Sequence, residues 1–347
     1  MFKLRHLIII GICTLVLIVA CDREAYLKGN RAPNSPKSDR VTANSESCRL
    51  VQHQMEKTEI CGQPQKVAAL SPHILDSILA LGVQPVAYAE TVNLKIPTYD
   101  KPAEQIPYIG KWVTTQPIGL GDRKSPSLER LTLIQPDLIL GEEWLHQDEY
   151  PLLSQIAPTL LFSDDYQPNN LQSWQQSIQG IAQALGKEDQ VQELLTILKE
   201  RIATTRKALQ PVLEKYPRVF LFSSNLTTYV YTQPDSTAGR LLEEIGFEIV
   251  QPPGILREGE MSWEMLPQVE TDLIIVLSWS DDSFDHPEAI LREKWANNPL
   301  LKSMPIFQQN RVFFVDYQLW GSNIRGPLTD RLILEALPDL LLSSVAE

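Results

Sequence analysis

The chain has 347 residues, room for about two domains of ordinary size. Hydrophobic residues make up 43% and charged residues 21%, a globular balance that excludes a wholly disordered chain. Lys+Arg number 31 against 43 Asp+Glu, a net charge of −12 that argues against nucleic acid as a partner, since phosphate backbones need clustered cations. Four scattered cysteines exclude a disulfide-dense scaffold and a structural zinc module.

The chain opens on Lys3 and Arg5, followed by an apolar run from Leu7 to Ala20. That run is short of the roughly 20 residues a spanning helix needs. The layout is that of a secretory signal peptide over residues 1–20, the alternative being a short membrane anchor. Ala20 before Cys21 resembles a bacterial lipoprotein cleavage box, which would make Cys21 a lipidated N-terminus with more than one chain in the membrane. Cleavage there removes two bases and no acids, taking the net charge from −12 to −14. Residues 21–47 are polar and rich in Asn, Ser and Pro, a composition that buries no core and predicts a flexible tether. Cys48 and Cys61 then remain as a disulfide candidate in an oxidising compartment, or as two free thiols.

From Lys66 short apolar runs alternate with helical segments. Strands are predicted at 66–70 and 85–89 around a helix from Pro72 to Leu81, with Gly82 as its terminating glycine. A helix near 126–135, a strand at 137–140, a helix near 148–156 and a strand near 159–162 follow. Strands alternating with helices predict a parallel α/β sheet. Residues 169–210 carry helical apolar spacing in two stretches, the second a long helix from Glu188. Strands at 218–222, 247–250, 272–277 and 311–315, a helix near 236–245 and a last helix from Pro327 repeat the α/β pattern. The expected organisation is an N-terminal α/β lobe over 48–187, a stiff connecting helix over 188–210 and a C-terminal α/β lobe over 211–347. SLERLTLIQPDLIL (127–140) aligns without gaps to SWEMLPQVETDLII (262–275), which points to two related lobes and pairs Glu129 with Glu264.

Catalytic signatures are largely absent: no G-x-S-x-G, P-loop, G-x-G-x-x-G or H-E-x-x-H, and no pair of histidines at helical metal-binding spacing, which leaves open a three-histidine site assembled across loops. The expectation is a binding protein without catalytic residues, resident metal or cofactor. Candidate ligand contacts are the aromatic and cationic residues in loops near strand ends, where open α/β sheets bind ligands. Tyr88 and Glu90 follow one strand, Trp112 and Arg123 occupy the loop at 110–126, and Trp144 and His146 follow the strand ending near Leu140. In the second half the candidates are Arg257, Trp279, Tyr317, Trp320 and Arg325. Aromatic faces bury rigid ligand area, and guanidinium forks suit anionic oxygens. Each of these could instead be a packing or surface residue; the polar loop LWGSNIRG favours ligand contact for Trp320 and Arg325. Glu129 and Glu264 each suit the first turn of a helix, but their equivalent repeat positions suggest sockets on a two-fold partner.

KVAALSPHILDSILALGVQPVAYAE (66–90), SPSLERLTLIQPDLILG (125–141), the long helix and DYQLWGSNIRGPLTDRLILEAL (316–337) together resemble the periplasmic substrate-binding proteins of iron–siderophore ABC transporters and the related cobalamin-binding proteins. The resemblance implies the class III periplasmic-binding-protein fold: two α/β lobes, one rigid connecting helix and a shallow cleft. It implies capture of a ferric siderophore, delivery to a membrane permease dimer, and docking of Glu129 and Glu264 onto permease arginines. A cleft arginine of the first lobe falls on Arg123 or Lys111. Cobalamin or haem is the alternative ligand, and a redox or chelatase enzyme on a similar scaffold the rival class.

Overall fold

The structure is a computed structural model. It describes residues 47–91, 98–163, 173–225, 230–255, 259–279, 286–321 and 326–345. The expected signal peptide, Cys21 and nearly all of the tether lie outside the described residues, as do Arg257 and Arg325. Residues from Glu46 onward form one compact unit.

The described chain begins with an antiparallel hairpin, β1 (Cys48–Gln52) and β2 (Lys57–Cys61), whose outermost pair, Cys48 and Cys61, is disulfide-bonded. Five strands then make a wholly parallel sheet: β3 (Val67–Ala69), β4 (Ala87–Glu90), β5 (Ile118–Asp122), β6 (Leu138–Glu142) and β7 (Thr159–Phe162), in the order β5-β4-β3-β6-β7. β3, β4, β6 and β7 are buried along their whole length, the pattern of a sheet covered by helices on both faces. The helix Pro72–Ala80 starts where Ser71 accepts the Ile74 N–H, with Pro72 in the first turn, and ends before Gly82 at φ +72°.

The second sheet holds β8 (Arg218–Ser224), β9 (Val230–Thr232), β10 (Glu248–Ile249), β11 (Gly259–Met261), β12 (Leu273–Ser278) and β13 (Val312–Asp316). β8, β10, β12 and β13 run parallel; β9 is antiparallel to β8, and β11 to β9. This sheet is therefore mixed, where the sequence pattern predicted a parallel one. The three-residue β9 and β11 carry no apolar run long enough to announce them.

The sequence repeat is a structural repeat. Ser127 and Ser262 cap the helical turns Leu128–Ile134 and Trp263–Gln268. Asp137 accepts the N–H groups of Gln65 and Lys66 before β3, at 2.9 and 2.8 Å, and donates its own N–H to the Lys66 carbonyl. Asp272 accepts the Arg218 N–H at 3.0 Å, donates its N–H to the Arg218 carbonyl and also pairs with the Arg218 guanidinium. Each aspartate thus staples the first strand of its sheet to the strand that follows the repeat helix. Pro267, without an N–H, stands where the first copy has Thr132, and the second copy winds as a tighter 3₁₀ helix.

Between the two sheets runs the helix Glu188–Ala208, with Glu188 and Asp189 in its first turn and Arg206 and Lys207 in its last. That arrangement suits the helix dipole. Val191, Leu198 and Thr205 form its buried face, and the Thr205 hydroxyl donates to the Leu334 carbonyl of the C-terminal helix Pro327–Leu341. Arg206 reaches the last carbonyls of the helix Thr237–Ile245.

Candidate functional site

Strand direction decides where the candidate residues fall. The helices Pro72–Ala80 and Pro327–Leu341 both begin above the carboxyl ends of their sheets. They meet at Asp76. Its carboxylate accepts the N–H groups of Leu328 and Thr329 at 2.9 and 2.8 Å and the Thr329 hydroxyl at 2.6 Å. A Cβ at Gly326 would stand 2.4 Å from the Asp76 carboxyl carbon, so only glycine admits this approach. One turn on, the Trp174 indole donates to Asp330 at 3.1 Å. The two helices that leave the carboxyl ends of the sheets thus meet at this buried clamp. Burial pushes the Asp76 pKa up, against the pull of its three hydrogen bonds.

On the first sheet the edge is built around Arg123. Its N–H donates to the Glu90 carbonyl at 2.8 Å, continuing the β4–β5 ladder. The loop then folds across the sheet top to the short helix Glu143–His146 beyond β6. There His146 Nε2 donates to the Arg123 carbonyl at 2.8 Å, and Nδ1 accepts the Glu142 N–H at 3.1 Å. His146 is fully buried, and Gly141 makes room for it: a Cβ there would lie 2.9 Å from Nδ1. The Arg123 guanidinium sits 5.7 Å above the Trp144 ring, and the Trp144 indole donates to Glu142 Oε2 at 2.6 Å. Trp144 is 43% exposed, so this cation–aromatic pair offers a large open face.

Beneath the pair lies Glu90, fully buried at the end of β4. One oxygen accepts the Thr91 N–H at 2.8 Å, and Tyr108 faces the carboxylate. Burial lifts its pKa to about 7, more than the Thr91 and Tyr108 contacts and the Arg123 charge hold it down.

The other candidates are distributed differently. Lys111 stacks on Trp112 at 4.4 Å and its charge acts on Glu335 of the C-terminal helix. The Trp112 carbonyl accepts from Gln84, at the amino end of β4, so both residues stand apart from the Arg123–Trp144 edge. Of the two cations proposed for a first-lobe cleft, Arg123 is the one at the carboxyl edge. On the second sheet Trp279 and Tyr317, both half-buried, follow the carboxyl ends of β12 and β13. Trp320 is 5% exposed and packs in the main core, which leaves its ring little surface for a ligand. Tertiary packing of the short helix Tyr317–Trp320 overrides the polar look of its loop.

Glu129 and Glu264 are both exposed, in the first turns of the repeat helices. β5 leads into the first helix at its carboxyl edge. β11, antiparallel to β9 and so codirectional with β8, leads into the second the same way. Both glutamates therefore stand at the carboxyl edge of their sheet. Sequence reasoning passed over Asp76 and Glu142. Asp76 had a signal, being a lone acid inside the apolar helix PHILDSILA.

Residues 67–319 match the family model described as periplasmic binding protein, and the chain belongs to that family. It is 25% identical over 318 residues to the Fe(3+)-citrate-binding protein YfmC of Bacillus subtilis strain 168, covering 90% of each chain. It is 26% identical over 276 residues to the Fe(3+) dicitrate-binding periplasmic protein FecB of Escherichia coli K12, covering 78% of this chain and 81% of that protein. Staphylococcus aureus SirA complexed with staphyloferrin B shares the fold, with a TM-score of 0.64 and 21% identity over 83% of this chain and 97% of that one.

Proposed function

We propose that this chain is the solute-binding component of an ABC importer, taking a ferric chelate between the carboxyl edges of its two sheets and handing it unchanged to a permease dimer. The observation that carries the reading is the Arg123–Trp144 pair at the carboxyl edge of the first sheet, with the Trp144 ring 43% exposed. A guanidinium on an aromatic platform suits a compact anion with an apolar face. The names of YfmC and FecB, both for binding ferric citrate, favour the same cargo class. Iron is cargo here, held by its chelator. Glu129 and Glu264, at matched corners, are the proposed contacts to permease cations. Export and lipid anchoring at Cys21 complete the reading, and the sequence of the N-terminus supports them. No helix among the described residues is long and apolar enough to cross a membrane.

The test is quenching of tryptophan fluorescence by ferric citrate, a ferric hydroxamate, a ferric catecholate, cobalamin and haem. Saturable quenching by one ferric chelate, weakened at least about tenfold in Trp144→Ala, is expected. Saturation by cobalamin or haem alone overturns the ferric assignment. Turnover of the chelate by the purified chain overturns the transport reading.

A further inference from the structure

Glu90 has no place in the ligand platform, yet it is buried directly against it. Its own strand contributes Tyr88, and the Thr91 N–H binds one carboxylate oxygen. Tyr108 and Tyr99 face it from the segment between β4 and β5. Arg123 and Asp122 face it from the end of β5, one cation and one anion. Asp76 acts on the same group of residues through Tyr108. Among the described groups that act on Glu90, Arg123 is the cation beside acids and phenols. Its Nε is buried and makes no hydrogen bond among the described residues. The Trp144 face holds the guanidinium, His146 ties the Arg123 backbone carbonyl, and the Arg123 N–H donates to the Glu90 carbonyl at 2.8 Å, with Glu90 Oε2 likewise buried and without a hydrogen-bond partner among the described residues.

We propose that Glu90 is the proton-linked counter-ion of Arg123: ionised, it claims the guanidinium's field, and protonated, it leaves that field to an anionic group of the ligand. Ligand uptake at Arg123 is then accompanied by uptake of a proton at Glu90. The ligand half of this statement rests on the proposed function; the coupling between the two side chains does not. The chemistry selects anionic chelates over neutral ones, and selects them more strongly as pH falls. The direction follows from the carboxyl, which is mainly protonated below about pH 7.

The coupling is read in the ligand-free protein by following the Glu90 carboxyl carbon and the Arg123 Nε–H by NMR as pH is raised. Both are expected to shift with one midpoint near 7, and Glu90→Gln is expected to flatten the Arg123 response. Arg123→Gln is expected to raise the Glu90 midpoint, because a favourable charge is lost. A Glu90 that titrates like an ordinary exposed carboxylate, or an Arg123 step that survives in Glu90→Gln, overturns the coupling. The ligand half is read by calorimetry with ferric citrate. Wild-type affinity is expected to fall roughly tenfold from about pH 6 to about pH 8, beyond whatever change Glu90→Gln shows. Equal pH dependence in the two proteins overturns it. Failure of ferric citrate to bind at either pH counts against the choice of chelate, while the ligand-free titration still decides the coupling.

Discussion

Glu90 and Asp76 show how burial decides the role of a carboxylate. Glu90 carries a raised pKa of about 7 in the folded chain, so folding takes up a proton between that value and the ordinary carboxylate range. Its contribution to stability is therefore most favourable below the unfolded pKa and is lost as pH rises through about 7. Glu90→Gln is expected to stabilise the fold by on the order of 1–3 kcal/mol at about pH 8, seen as a higher melting temperature, and to change little at about pH 5. Thermal unfolding at the two pH values checks this. Asp76→Ala leaves two helix N–H groups and the Thr329 hydroxyl without their acceptor, at a cost on the order of 2–4 kcal/mol in urea unfolding. A loss under about 0.5 kcal/mol would deny the clamp its role. The sequence placed Glu90 at a strand end; that Arg123 and Tyr108 would enclose it depends on a loop crossing two strands, which no local pattern encodes.

Among the elements, the strands with continuous apolar runs were readable because a sheet covered on both faces demands such runs. The hairpin of β1 and β2 was not, since it is polar and only a few of its residues, such as Val51 and Ile60, are buried. Its anchoring is specific nonetheless. The Arg49 guanidinium binds the Gln183 and Ala184 carbonyls at the end of the helix Ser173–Leu185, both at 2.6 Å. The Gln54 N–H reaches the Leu161 carbonyl on the edge strand β7, and His53 Nδ1 accepts the Leu161 N–H. The hairpin thereby shields an open sheet edge. Replacing Cys48 and Cys61 together by serine is expected to cost about 2–3 kcal/mol locally. Hydrogen exchange should accelerate in the hairpin, in β7 and in the last turn of that helix, with the second sheet unaffected. Uniform acceleration across the chain would contradict a local role.

For the whole molecule, the two-lobe plan followed from alternation and from the repeat, because Asp137 and Asp272 perform the same stapling in each copy. Less of the site could be foreseen. Aromatic residues were assigned by loop, and the structure divides them: Trp144 at the edge, Trp112 at the far end, Trp320 in the core. Charge reversal at both tips, Glu129→Arg with Glu264→Arg, is expected to abolish uptake in cells while ligand affinity of the purified chain stays within about twofold. Either single reversal should cost less. Equal loss of affinity and uptake would assign the glutamates to the cargo instead.

The Asp76 clamp fastens the start of the C-terminal helix to the other half of the molecule, and the helix Glu188–Ala208 lies along that same helix. The clamp is expected to hold carriers with and without cargo to nearly one outline, and on the proposed function an importer offered both would be blocked by vacant copies. In reconstituted vesicles, import at fixed chelate should first rise and then decline as the carrier is supplied in growing excess. An Asp76→Ala carrier, freer to change outline, should reach that decline later.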